Sequence, residues 1–170
     1  MKKQTAVLDT SFWVLGHRAD VLAYLFRFFA VVVPSAVENE IQARDPRYPQ
    51  RVYGYQELFG LMKWQGVLDI RDPVQPLDQF HAGEAAALGL ALDENLWLLV
   101  NEQRALRFAR QRGLKALTVP EFTVYLYEIE VLSQHSVHDK LDRIAANTGK
   151  ALMDVARQAV RSLAESRGDL

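Results

Sequence analysis

The sequence contains no cysteine, and its 20 lysine and arginine residues almost balance its 21 aspartate and glutamate residues. The missing thiols exclude disulfide bonds, thiolate metal sites and cysteine nucleophiles. The formal net charge of -1 offers no general attraction to a polyanion, so nucleic-acid binding would need a local basic patch or a bound metal ion. The first apolar segment is followed by Asp-Thr-Ser-Phe, not by the Gly-rich turn of dinucleotide-binding proteins.

Long apolar runs are also missing. No segment approaches the length of a membrane-spanning helix, and the basic amino-terminal segment reaches Asp9 after only a few apolar residues. We therefore expect no membrane span, no signal peptide and a cytoplasmic location. The length of 170 residues predicts one domain over 1–170, with a core at about 5–132 and a helical extension at about 135–166.

Short aliphatic runs alternate with helical segments along the chain. The predicted strands are 5–8, 30–33, 67–70, 96–100 and 116–119. The predicted helices are 19–29, 36–43, 50–64, 103–112, 120–132, 135–146 and 150–166, with two more that open near Phe12 and Glu84. This alternation predicts an α/β protein: a three-layer α/β/α sandwich with a short, mainly parallel central sheet, closed by two C-terminal helices.

The most informative stretch runs from His81 to Arg112 and predicts a helix, a buried strand and a second helix. Glu84 lies in the first turn of the first helix, and Glu102 directly follows the strand. In a parallel sheet the connecting helices begin at the edge where the strands end, which is also the edge that binds ligands. We therefore expect Glu84 and Glu102 to lie near one another at that edge.

Two further acids fall at the same edge. Asp9 ends the first predicted strand, and Glu40 lies on the helix after the second; Glu38 points to another face of that helix and is assigned to the surface. Carboxylates without histidine or cysteine suit Mg²⁺ or Mn²⁺, and they repel one another unless a cation or proton neutralises them. We predict Asp9, Glu40, Glu84 and Glu102 as the metal ligands and catalytic residues, with the metal activating water against a phosphodiester.

Each of these acids also has a simpler explanation. Asp9 can cap a helix, and Glu84 can be a favourable first-turn charge. Glu40 can pair with Arg44 one turn later, and Glu102 can be a solvated loop acid. The metal-site hypothesis therefore depends on the four acids converging at one edge of the sheet.

Four residues near the acids are predicted to bind substrate. Thr10 and Ser11 follow Asp9, where their hydroxyls can hydrogen-bond a metal ligand or cap a helix. Arg104 and Arg107 share one side of a predicted helix, where they can contact phosphates. An ordinary solvated helix face explains the two arginines equally well.

Taken together, these segments resemble the PIN-domain family. The matching pieces are VLDTSFW, VVVPSAVENEI and AGEAAALGLALDENLWLLVNEQRAL, and the resemblance covers roughly residues 5–132. It is closest to the VapC-like subgroup in which Gly-Glu opens the central helix. The resemblance implies a metal-dependent ribonuclease with RNA as its substrate and, for the toxin of a toxin-antitoxin pair, a small antitoxin protein as its partner.

One position departs from the family pattern. The family usually has aspartate where this chain has Glu102, after Asn101. The additional methylene moves the carboxylate outward, which matters for an ion that needs near-octahedral geometry. The alternative hypothesis is therefore a catalytically weakened or inactive PIN-like binding module.

Two apolar surfaces predict self-association. The last predicted helix carries an apolar stripe of Leu152, Val155, Ala156, Ala159, Val160 and Leu163. The segment 48–64 is rich in aromatic residues. We predict a homodimer from these two features.

Overall fold

The computed structural model describes residues 2–168 and contains a parallel sheet with the strand order β3-β2-β1-β4-β5. The strands are β1 (Gln4–Leu8), β2 (Phe29–Val33), β3 (Leu68–Ile70), β4 (Trp97–Leu99) and β5 (Ala116–Leu117). The helices are α1 (Thr10–Arg18), α2 (Leu22–Phe28), α3 (Ser35–Gln42), α4 (Gly54–Trp64), α5 (Ala82–Glu94), α6 (Gln103–Gln111), α7 (Val119–Glu128), α8 (Gln134–Ile144) and α9 (Lys150–Arg167), with a 3-10 helix at Ala145–Asn147 between the last two. The predicted α/β/α architecture is confirmed.

Strand β1 lies at the centre of the sheet. It pairs in parallel with β2 on one side, where Val7 faces Val32, and with β4 on the other, where Val7 faces Leu98. Ala6, Val7 and Leu8 are completely buried because helices cover both faces of the sheet. The carboxyl ends of β1, β2 and β4 consequently lie side by side.

Several element boundaries differ from the prediction. The predicted helix 19–29 is interrupted at Asp20, whose left-handed φ of 56° ends α1, and Phe29 already belongs to β2. Val119 was predicted in a strand but is the first residue of α7, because Thr118 caps that helix and Glu121 accepts a hydrogen bond from the Thr118 N–H. In both places a local backbone or capping interaction outweighs the propensity of the apolar residues.

The C-terminal extension is attached to the domain through a buried lysine. The Lys140 side chain of α8 is 8% exposed, and its Nζ donates to the Asp20 carbonyl at 2.8 Å and the Ala19 carbonyl at 3.4 Å. These carbonyls lie at the end of α1, where a positive charge suits the helix dipole. Lys140 therefore connects α8 directly to the helix that follows β1.

Helix α9 packs on α7 and α8 and uses its apolar stripe inside the chain. Ala156 and Val160 are buried, together with Met153 and Ala164, whereas Val155 is 67% exposed and was wrongly assigned to the stripe. The buried part of the stripe is therefore used inside the chain, and the homodimer stays a prediction. Across residues 2–168 no helix combines the length and the apolar character needed to cross a membrane.

Candidate metal centre

Asp9 directly follows β1 and caps α1. Its Oδ2 accepts hydrogen bonds from the Ser11 backbone N–H at 3.1 Å and from the Ser11 hydroxyl at 2.5 Å. The helix that was predicted to open at Phe12 therefore begins at Thr10, because the Asp9 side chain satisfies an N–H of its first turn. Capping, the simpler explanation of Asp9, is thus present in the structure.

The second oxygen of Asp9 has no such partner. Asp9 is 3% exposed, and its buried Oδ1 accepts no hydrogen bond from any residue between 2 and 168. Burial raises the pKa of the Asp9 carboxyl, the hydrogen bonds from Ser11 oppose this shift, and the negative charge of Glu40 adds to it. A buried carboxylate oxygen without a donor calls for a proton or a cation.

Glu40 joins two helices at the same edge. Its Oε2 accepts from the Thr10 hydroxyl at 2.7 Å, and its Oε1 accepts from the Gly83 backbone N–H at 2.9 Å. Glu38 lies on another face of α3 and pairs with Lys63 at 2.8 Å. Of these two acids, it is therefore Glu40 that faces the starts of α1 and α5.

Gly83 allows this close approach. It lies inside α5, which begins at Ala82, and a Cβ at position 83 would come within 2.6 Å of Oε1, Oε2 and Cδ of Glu40. Any larger residue would displace the carboxylate. We did not predict this role, although a glycine next to Glu84 in an otherwise Ala-rich helix is a usable signal, since glycine is costly in helices.

The charge of Glu84 interacts with those of the other predicted acids. It is half-buried in the first turn of α5. Burial raises the pKa of its carboxyl first, and the negative charges of Asp9, Glu102 and Glu40 raise it further, while His81 lowers it. Glu84 therefore lies within electrostatic reach of the other three predicted acids, and metal binding by the four stays a prediction.

Glu102 and Asn101 connect the end of β4 with three helices. Glu102 caps α6, its Oε2 accepting from the Ala105 N–H at 2.9 Å. The Asn101 N–H donates to the Ser11 hydroxyl at 2.9 Å, and its side-chain oxygen accepts from the Val119 N–H at 3.2 Å. Asn101 is thus a positioning residue that we did not predict; its place beside Glu102 at a strand end was the available signal.

The donor chemistry fits a hard divalent cation, although the side chains do not yet surround one point. Among residues 2–168 no three histidine, aspartate or glutamate side chains form a ready cage for an ion. Glu40 has both oxygens engaged by Thr10 and Gly83, and Glu102 uses one oxygen as a cap. Mg²⁺ typically keeps several waters and needs only one or two direct carboxylates. The free Oδ1 of Asp9 and the all-oxygen surroundings suit that mode of binding.

The four predicted substrate-binding residues differ in what their side chains contact. The Thr10 and Ser11 hydroxyls donate to predicted ligand carboxylates. Arg104 donates to the Gln79 carbonyl at 2.9 Å, whereas Arg107 is exposed and has no ion pair or hydrogen bond with the described residues. A role of these four residues in binding substrate stays a prediction.

Comparison with known proteins identifies the family. Similar solved structures include a PilT N-terminus domain protein from the archaeon Sulfolobus solfataricus, with 14% identity, a TM-score of 0.46 and coverage of 69% of this chain and 88% of that one. Another is a domain of a functionally unknown protein from Methanocaldococcus jannaschii, with 17% identity, a TM-score of 0.48 and coverage of 68% and 90%. No curated protein matches significantly. A family model described as a PIN domain (DUF3368) matches residues 5–148, and the chain therefore belongs to the PIN-domain family, whose members are generally nucleases.

Proposed function

We propose that this protein is a ribonuclease that uses Mg²⁺ or Mn²⁺ to hydrolyse phosphodiester bonds of RNA. The observation that carries the proposal is the buried Asp9 carboxylate, whose Oδ1 has no donor among residues 2–168 and which lies at the carboxyl edge of the sheet within electrostatic reach of Glu84. Such crowding of negative charge is unfavourable without a cation. Family membership supports nuclease chemistry in general, and the oxygen donors favour Mg²⁺ or Mn²⁺.

The residues of the site have distinct roles in this reaction. Asp9, Glu40, Glu84 and Glu102 would hold the ion, which when bound supplies an activated water and stabilises the leaving oxygen. Ser11 orients Asp9 through Oδ2 and leaves Oδ1 free. Burial and the neighbouring acids raise the pKa of the Glu84 carboxyl in the metal-free protein, and a bound cation would relieve this effect.

A single substitution tests the proposal. Purified protein should cleave single-stranded RNA in the presence of Mn²⁺, and Glu84→Gln should abolish cleavage because it removes the carboxylate with little change in shape. Glu165→Gln is the matched control, because Glu165 is exposed on α9 and the substitution removes the same charge. Equal cleavage by the parent protein and Glu84→Gln would identify a contaminating nuclease and refute the proposal.

The second candidate function is a weakened or inactive binding module. The observation that favours it is the use of Glu102 as a helix cap, with no ready cage for an ion among the described residues. Glu102→Asp restores the residue usual in the family and separates the two candidates. Increased cleavage would indicate a weakened enzyme, whereas no cleavage by either form would indicate a binding module.

Self-association through the region before and on α4 is also proposed. Tyr48, Val52, Leu61 and Trp64 are 56%, 63%, 47% and 83% exposed, a concentration of apolar surface typical of protein contacts. We expect a homodimer that Trp64→Glu dissociates, as measured by light scattering. A parent protein that is monomeric at micromolar concentration would contradict this proposal. An antitoxin partner stays a prediction, which a small DNA-binding protein encoded next door would support.

A further inference from the structure

A cavity of about 290 Å³ adjoins the acidic site. It shares Ser11, Asn101 and Glu102 with that site and extends away from them to Arg18 and Asn147. Its volume is close to the lower end of the roughly 300–1,000 Å³ found for ligand pockets. The cavity therefore continues the candidate site in one direction.

One face of α1 forms the floor of this cavity. Ser11, Val14, Leu15 and Arg18 follow one another at helical spacing and all line it. The helix rises by about 10 Å between Ser11 and Arg18. Apolar side chains thus separate the polar acidic end from a guanidinium at the far end, so that the floor can pack against a ribose or a base while both ends remain polar.

The charge of Arg18 is not neutralised by its neighbour. Its exposed guanidinium donates to the side-chain oxygen of Asn147, which is a neutral amide. By contrast, Arg110 forms an ion pair with Glu121 at 2.6 Å. Arg18 forms no ion pair with an acid among residues 2–168, so its guanidinium can pair with an anionic group, and its planar donors match the oxygens of a phosphate.

The far wall belongs to the C-terminal extension. Asn147 ends the 3-10 helix between α8 and α9. Two residues later, a Cβ on Gly149 would overlap the side-chain amide of Gln103, at the start of α6. The extension therefore approaches both α1 and α6, and its Asn147 lines this side of the cavity.

We propose that the cavity binds the nucleotide next to the scissile phosphodiester of single-stranded RNA. Arg18 contacts the phosphate of that nucleotide, Asn147 orients Arg18, and Val14 and Leu15 pack against the ribose or base. This inference rests on the proposed ribonuclease function and adds a substrate subsite to it. It gives the C-terminal extension a direct part in substrate binding.

The first test measures RNA binding without turnover. Fluorescence anisotropy of a labelled oligouridylate is followed with Glu84→Gln protein in Mg²⁺ over a range of salt concentrations. Adding Arg18→Ala should weaken binding by about tenfold or more, as expected for a lost charge-assisted contact. The slope of log affinity against log salt should fall by about 0.7, the value for one phosphate contact with a single strand.

Two further variants separate contact from folding. Arg18→Lys keeps the charge and should largely retain the salt slope. Arg161→Ala removes the same charge from an exposed position on α9 that does not line the cavity, and it should change neither affinity nor slope. A merely structural role of Arg18 would lower affinity without changing the slope, and that result would overturn the proposal.

The second test uses substrate length. A dinucleoside monophosphate has only the scissile phosphate, so the parent protein and Arg18→Ala should cleave it with the same KM. With a longer oligonucleotide, Arg18→Ala should have a higher KM than the parent protein, whereas Arg161→Ala should not. If the parent cleaves RNA but Arg18→Ala behaves like Arg161→Ala on both substrates, the subsite is wrong and the nuclease proposal stands. If no form cleaves or binds RNA, the proposed function fails and the subsite fails with it.

Discussion

Replacing Gly83 by alanine tests the geometry of the acidic site most directly. The new Cβ would lie within 2.6 Å of three atoms of the Glu40 carboxyl group, which must therefore move. Movement breaks the hydrogen bonds that Glu40 accepts from the Gly83 N–H at 2.9 Å and from the Thr10 hydroxyl at 2.7 Å. The variant should consequently lose stability and the response to metal together.

The magnitude follows from three contributions. Because Glu40 remains accessible to water, the lost charge-assisted bond to Gly83 is worth about 1.5 kcal/mol, the low end of its range, and the bond to Thr10 about 1 kcal/mol. Alanine regains at most about 1 kcal/mol of helix propensity. The net loss is about 1.5 kcal/mol, which in a domain of this size lowers Tm by roughly 3–6 °C.

The assay is urea and thermal unfolding with and without Mn²⁺, and Gly60→Ala is the control. Gly60 lies inside α4, and a Cβ there would meet nothing within 4 Å. Gly60→Ala should therefore raise the free energy of unfolding by about 1 kcal/mol and keep the stabilisation by Mn²⁺. If both substitutions stabilise the protein equally, Gly83 has room for a Cβ and the placement of Glu40 is refuted.

Four other predictions concern charge. Asp9→Asn keeps a good helix cap but should remove the stabilisation by Mn²⁺. For the parent protein this stabilisation is about 2.7 kcal/mol when the Mn²⁺ concentration is a hundredfold above Kd. Thermal-shift measurements test this prediction, and a shift retained in Asp9→Asn would contradict it. The pKa values of the Asp9 and Glu84 carboxyls are raised in the folded metal-free protein, which therefore binds protons at these two groups more tightly than the unfolded chain does. The contribution of the two groups to the free energy of unfolding should consequently fall as the pH rises through the raised pKa values. Protons should also compete with the metal ion for these carboxylates, so the half-saturating Mn²⁺ concentration should increase on acidification. An unchanged half-saturating concentration would argue against carboxylate ligands. Lys140→Met should lower the free energy of unfolding in urea by about 1–3 kcal/mol. The control is Lys150→Met: the Lys150 side chain is 89% exposed, so this substitution should cost only about a few tenths of a kcal/mol. Equal losses would contradict the buried role of Lys140.

Much of the fold could be predicted because the apolar pattern and the strand ends are local signals. The buried run that becomes β1 and the acid that follows it are adjacent in sequence, and the same holds for β4 and Glu102. The rule that parallel strands end at one edge then brings distant acids together. Element ends were less predictable: Asp20 ends α1 through a left-handed backbone, which no hydrophobic period reveals.

The details of the candidate site depend on contacts between elements, and these were not predictable from spacing. Glu40 is held by Gly83 and Thr10, each from a different helix. Asn101 acts through Ser11 and Val119 in the same way. Helix periodicity correctly showed that α9 has an apolar face, but it could not show that the face is covered by α7 and α8 of the same chain.

The central position of β1 also has a consequence for biosynthesis. Val7 is translated well before its partner Leu98, because β2, β3 and the helices around them lie between the two residues in sequence. At about 5–20 residues per second, several seconds pass with one edge of this apolar strand unpaired. During that interval the free edge of the strand can pair with other polypeptides, and Glu102, which follows β4 in sequence, has not yet joined the other predicted ligands.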